Sequence, residues 1–146
     1  MTTLYTIGFA GWGAEAFFEA LRDAGVRRIL DIRLNNTSQL AGFAKRDDLR
    51  YFLRELCGAD YAHIPELAPS KELLKGYRDG TIDWTGYEAI YAELVHERQS
   101  LDRLVLHDLD GACLLCSEHQ PDQCHRRLVA EALAERWPAL QVVHLM

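Results

Sequence analysis

The chain has 146 residues, with 22 Asp and Glu against 16 Lys and Arg, a formal charge of −6 at neutral pH. Apolar residues make up 49% and charged residues 26%, the balance of a globular domain and not of a disordered chain or a polybasic nucleic-acid grip. A chain of this length buries about 70% of its unfolded surface, so one domain over residues 1–146 is expected to fold without a staple.

Leu4-Tyr5-Thr6-Ile7 is a short β-type run that ends at Gly8. Phe17, Phe18 and Leu21 recur at helical spacing, and Gly25 is placed to stop that helix. Ile29-Leu30-Asp31-Ile32 reads as the second strand. Leu49, Phe52, Leu53 and Leu56 follow the i, i+3, i+4, i+7 pattern of a buried helix face, with Gly58 as its stop. Tyr61-Ala62-His63-Ile64 is a third strand, ended by Pro65. Ser70 caps a short helix through Leu73 and Leu74 toward Tyr77. Thr85-x-x-Glu88 has the form of a capping box before a longer helix with Tyr87, Ile90, Tyr91, Leu94 and Val95 on one face. Leu104-Val105-Leu106 fits a short strand or a helix end. Ala112-Cys113-Leu114-Leu115-Cys116 is a near-continuous apolar run, as in a strand covered on both faces. The last helix starts near Cys124 and carries Leu128, Val129, Ala132 and Leu133, and Gln141 to Leu145 is the final strand.

This alternation predicts an α/β three-layer sandwich, a mostly parallel sheet with helices on both faces. The longest polar loop runs from Leu34 to Arg46, and loops of that length in compact domains often serve function. No run approaches the roughly 18 apolar residues of a membrane span. Neither the first nor the last residues carry a leader or lipidation pattern, so a cytoplasmic, reducing location away from membranes is expected. In such a location spaced cysteines are more often reactive or metal-binding than disulfide-bonded. The four are Cys57, Cys113, Cys116 and Cys124.

Ligands of open α/β sheets sit beyond the carboxyl ends of the strands. That rule selects the turn after Gly8, the segment Asp31-Ile32-Arg33, and the loop from Cys116 to Arg127. Cys124-His125-Arg126 stands where a loop becomes a helix. Exposed amides and the positive dipole end favour negative charge there, so a thiol should ionise readily and act as a nucleophile. The same amides can hold a phosphate or carboxylate instead. Arg33 suits bidentate capture of such a group, or simply an ion pair with Asp31 on the same strand face. Cys57 and Cys113 read as small buried hydrophobes. A zinc quartet of Cys113, Cys116, Cys124 and His125 is disfavoured, because residues three apart on a strand point to opposite faces. Cys116, Cys124 and His125 remain as a three-ligand alternative.

At these residues the sequence resembles the domain of unknown function 488 family. The resemblance rests on Tyr5-Thr6-Ile7-Gly8, Asp31-Ile32-Arg33, Tyr61-x-His63-Ile64-Pro65-x-Leu67, and above all Cys116-x-Glu118-x2-Pro121-x2-Cys124-His125-Arg126. It implies an α/β fold with Asp31, Arg33, Cys116, Glu118, Cys124, His125 and Arg126 gathered at one end of a parallel sheet. Members often carry His and Ser after the first-strand Gly, where this chain has Phe9 and Ala10, so roles of those polar groups do not transfer.

The combined reading is a cysteine-dependent enzyme, a transferase or hydrolase, acting on a small anionic, nucleotide-like substrate. Cys124, His125 and Asp31 are the expected catalytic groups, with Asp31 or Glu118 orienting His125. Arg33, Arg126, Cys116, Glu118 and Gly8 are expected at the substrate, and Cys116 can close a reversible disulfide with Cys124. No cofactor or metal is assigned. The alternatives are a non-catalytic nucleotide or nucleic-acid binding module, the latter disfavoured by the acidic charge, and a Cys/His metal-binding protein. A homo-oligomer is compatible with the Tyr87–Leu94 helix face, which can equally cover the sheet.

Overall fold

A computed structural model describes residues 2–37, 42–118 and 120–146. Five strands form one all-parallel sheet in the order β3-β2-β4-β1-β5. They are β1 (Thr2–Gly8), β2 (Arg28–Asp31), β3 (Asp60–His63), β4 (Ala112–Cys116) and β5 (Leu140–His144). The helices are α1 (Ala14–Ala24), α2 (Arg46–Phe52), α3 (Lys71–Arg78), α4 (Trp84–Arg98), α5 (Leu106–Leu109) and α6 (His125–Arg136). The α/β sandwich expected from the alternating periods is the observed architecture.

The sheet separates two apolar layers. On one face, Ile7, Ile29, Cys113 and Leu115 meet Phe17, Phe18 and Leu21 of α1 and Leu49 of α2. On the other, Leu4, Leu30, Ile32, Leu114 and Cys116 meet Leu73 of α3, Tyr87 and Tyr91 of α4, and Val129, Ala130 and Leu133 of α6. All five residues of β4 are buried, as a strand covered on both sides must be. Cys113 and Cys116 fall in opposite layers, which is the pleat argument made visible. The Tyr87–Leu94 face packs inward through Tyr87 and Tyr91, leaving Ile90 exposed.

Two local readings change. Helix α4 is capped by Asp83, whose carboxylate accepts from the Gly86 amide at 2.8 Å, and not by Thr85. The segment after α2 widens into a π-helical turn, Leu53–Cys57. The wider turn shifts the helical phase, so Leu49 and Leu53 are buried while Leu56 is half exposed. Leu104-Val105-Leu106 leads into the four-residue helix α5. Ser70 caps α3, and Gly25 and Gly58 end their segments in left-handed conformations, as expected. Within the long polar loop, residues 38–41 lie outside the described residues.

The strand order places the site. The helices after β1 and β2 lie on one face, whereas α6, which follows β4, lies on the other. Chains leaving β4 and β2 therefore diverge at their carboxyl ends and open a crevice between them, whereas the chain after β1 stays paired with that after β4 through the Phe9 and Ala10 amides.

Candidate functional site

The crevice between β4 and β2 is a cavity of 220 Å³. Arg33 from the end of β2, Cys116 and Glu118 from the end of β4, and Cys124 and His125 at the start of α6 all line it. Five of the expected site residues thus share one wall. Tyr77, Trp84 and Tyr87 supply an aromatic side, and Arg78 stands beside them, exposed. A larger cavity of 530 Å³ between α4 and α6 contains none of the expected site residues.

Cys116 and Cys124 are joined sulfur to sulfur as a disulfide, with Cα atoms 7.6 Å apart. Both are buried. The guanidinium of Arg126 stands beneath them. Its Nη1 donates to Cys116 Sγ at 3.2 Å and to the Glu118 carbonyl, and its Nε donates to Thr6 Oγ1 at 3.2 Å. Arg126 is wholly buried; desolvation lowers its pKa to about 10, which leaves it cationic at neutral pH. Gly8 explains how so large a side chain fits. A β-carbon at position 8 would collide with the Glu118 carbonyl and the Arg126 guanidinium, so only glycine admits them. Gly8 is therefore a gap for Arg126, and it lies outside the cavity wall.

His125 is held from two sides. Its Nε2 donates to the Ile32 carbonyl at 2.7 Å, and its ring meets the edge of Tyr91 with centroids 5.6 Å apart. Burial first, and Arg126 in addition, push its pKa down to about 4 against the pull of Ile32 and Asp31. The imidazole is neutral at physiological pH, and its Nε2 proton leaves Nδ1 as the nitrogen with an available lone pair. The orienting partner is the Ile32 carbonyl, a role expected of Asp31 or Glu118.

Asp31 is committed elsewhere. Its two carboxylate oxygens accept from Arg33 Nε and Nη2, both at 2.8 Å, from the Arg33 backbone amide at 3.1 Å, and from the Tyr61 hydroxyl. Arg33 also stacks over Phe9, 5.5 Å from the ring centroid, and its carbonyl accepts from His63 Nε2 at 3.0 Å. Burial and the neighbouring carboxylate both hold the Tyr61 phenol in its protonated, donating form. Both the ion pair and the cavity-wall position of Arg33 are therefore realised at once.

The family model described as Domain of unknown function DUF488 matches residues 13–133. The chain belongs to the DUF488 family. No curated protein and no solved structure matches it. Within this DUF488 chain the matched span contains every expected site residue except Gly8. Phe9 and Ala10, the positions at which this chain departs from the His and Ser of the resemblance, anchor the first turn through amides that donate to the Cys116 and Ser117 carbonyls. Phe9 additionally gives Arg33 its ring contact, so the apolar replacement has a packing role here.

Sequence reasoning missed Tyr61, Tyr77, Tyr87 and Arg78 as parts of this region. Tyr61 was readable as a strand residue, but its meeting with Asp31 depends on the register of β2 against β3, Asp31 with His63. The aromatic wall comes from α3 and α4, which only the crossover brings over the end of the sheet. Among the described residues, Cys113 and Cys57 stand apart from the cavity, and burial raises both thiols.

Proposed function

We propose that this chain is a cysteine-dependent enzyme, a transferase or hydrolase, that acts on a small anionic, nucleotide-like substrate in the 220 Å³ cavity. The observation that carries the reading is the convergence of two cysteines and a neutral histidine at the carboxyl end of the central strand. In the reduced enzyme Cys124 is the nucleophile, at the positive end of α6. His125 Nδ1 accepts the thiol proton. The sulfur electron pair bonds the electrophilic atom of the substrate, and the leaving group departs with its bonding pair. Water or an acceptor hydroxyl then releases the bound group and restores the thiol.

Cys116 is the partner thiol. Arg126 stabilises negative charge on it at 3.2 Å, and it closes the disulfide with Cys124 when the site is oxidised. A dithiol reopens the bond, supplying two electrons and two protons. Arg33 and Arg78 hold the anion, while Arg126 acts through the sulfur. The aromatic side formed by Trp84 and Tyr87, stacked with centroids 5.0 Å apart, suits a planar ring on the substrate.

The test is alkylation of dithiol-reduced protein with iodoacetamide, followed by peptide mapping. Cys124 is expected to react at least about tenfold faster than Cys57, since thiolate character controls the rate. Nucleoside phosphates are expected to slow that reaction. Equal rates at Cys124 and Cys57 would overturn the nucleophile assignment, as would a Cys124→Ser variant with full activity on an identified substrate.

A further inference from the structure

We infer that the reduced form of this site binds one soft divalent cation, of the zinc type, through Cys116, Cys124 and His125. The inference rests on the same thiol pair as the proposed activity and assigns it a second, mutually exclusive state. One ligand atom from each of the three side chains lies within 4.8 Å of the others. Two thiolates and an imidazole form a donor set that favours zinc over harder cations.

Three further observations support the assignment. The Nε2 hydrogen bond to the Ile32 carbonyl at 2.7 Å leaves Nδ1 to coordinate and fixes the ring, as outer partners of metal-bound histidines do. Arg126 Nη1 donates to Cys116 Sγ, which compensates thiolate charge in a buried setting. The Cys116 and Cys124 Cα atoms stand 7.6 Å apart, wider than the roughly 4.4–6.8 Å that disulfides usually span. With about 2.3 Å zinc–sulfur bonds, two tetrahedral thiolate ligands place their sulfurs about 3.8 Å apart, and the wide anchors accommodate that separation. All three side chains line the cavity, so a fourth position opens toward it. Three protein ligands with one open position is the pattern of catalytic, not structural, zinc sites.

Chemically, a dithiol first reduces the disulfide to two thiols. The cation then displaces one proton from each thiol and takes the Nδ1 lone pair. An external disulfide reverses this by exchange: the two cysteine sulfurs form one S–S bond, the external disulfide takes up their two electrons and two protons from water to become two thiols, and the cation, having lost both sulfur ligands, leaves.

The experiment is a cobalt(II) titration of dithiol-reduced, desalted protein without oxygen, followed by zinc displacement. One cobalt per chain is expected, with a thiolate-to-cobalt charge-transfer absorption that zinc abolishes. The same wild-type protein oxidised to the disulfide is expected to bind at least a hundredfold more weakly, a comparison that needs no variant to fold. Cys124→Ser should weaken uptake at least tenfold, and Cys57→Ser should leave it unchanged. Absence of the charge-transfer band in reduced protein, or equal uptake by the oxidised form, overturns the inference. Loss of metal uptake alongside fast Cys124 alkylation would overturn this inference alone. Metal uptake with slow alkylation of the metal-free thiol would uphold it and overturn the nucleophile assignment.

Discussion

His125 carries an electrostatic cost that is visible in how it is held. Its ring is buried against Tyr91, its one proton is given to the Ile32 carbonyl, and its pKa is lowered from 6.5 to about 4. Between those two values the unfolded chain binds a proton that the folded chain refuses. Stability is therefore intact above about pH 6.5 and falls as pH drops toward 4. The loss attributable to His125 is on the order of 3 kcal/mol across that window, at 1.36 kcal/mol per pKa unit. Urea unfolding of chelator-treated protein at pH 7 and pH 4.5 measures it. His125→Asn is expected to be less stable at pH 7 but to lose clearly less on acidification. His144 keeps some slope in that variant, because burial lowers its pKa as well. An unchanged pH dependence in His125→Asn would refute the assignment of the slope to this ring.

The start of α4 shows how one element settles on its boundary. Two residues compete for the cap. Thr85 has Glu88 three positions on, the reciprocal pattern of a capping box. Asp83 begins the helix two residues earlier and accepts from the Gly86 amide, and the longer helix brings Trp84 against Tyr77 and Tyr87. Asp83→Ala is expected to cost about 1 kcal/mol, and Thr85→Ala no more than about 0.5 kcal/mol. Chemical denaturation of the two variants decides it, and a larger loss from Thr85→Ala would reverse the assignment. The strands and long helices were legible because burial on a sheet face or helix stripe imposes a period on the sequence. Element β4 is the plainest case, five apolar residues under two layers. Boundaries were less legible where capping signals overlap, and the Leu53–Cys57 turn was hidden because a π turn alters phase without altering composition. At the site, Cys116, Cys124 and His125 stood out through their spacing around the start of α6. The acceptor for His125 was not legible, because it is the backbone carbonyl of Ile32, the residue just after β2, and carries no residue-type signal.

At the scale of the whole molecule, the order β3-β2-β4-β1-β5 does two things together. It buries β4 at the centre, and it sends the chain after β4 to the face opposite the one used after β1 and β2. The site is thus built on the best-covered strand, while the cavity opens only where the flanking helices part. The sheet also divides the apolar interior into two layers whose residues touch different helices. Ile7 on β1 lies in the layer under α1 and α2, and Ile32, continuing β2, lies in the layer under α3, α4 and α6; neither has accessible surface. Their strands are separated by β4, which puts them roughly 10 Å apart by two strand spacings. Ile7→Val and Ile32→Val should each cost about 0.5–1.5 kcal/mol, the usual range for removing one buried methylene. Because the layers share no helix, the double variant should lose the sum of the two within about 0.5 kcal/mol. Urea unfolding of the two single variants and the double variant supplies the cycle. A coupling above about 1 kcal/mol would mean that the sheet transmits packing strain from one layer to the other, and the two-layer description would then fail. Ile7 neither lines the cavity nor shares the layer of Cys116 and Cys124, so the rate of Cys124 alkylation in Ile7→Val should match that of the parent chain.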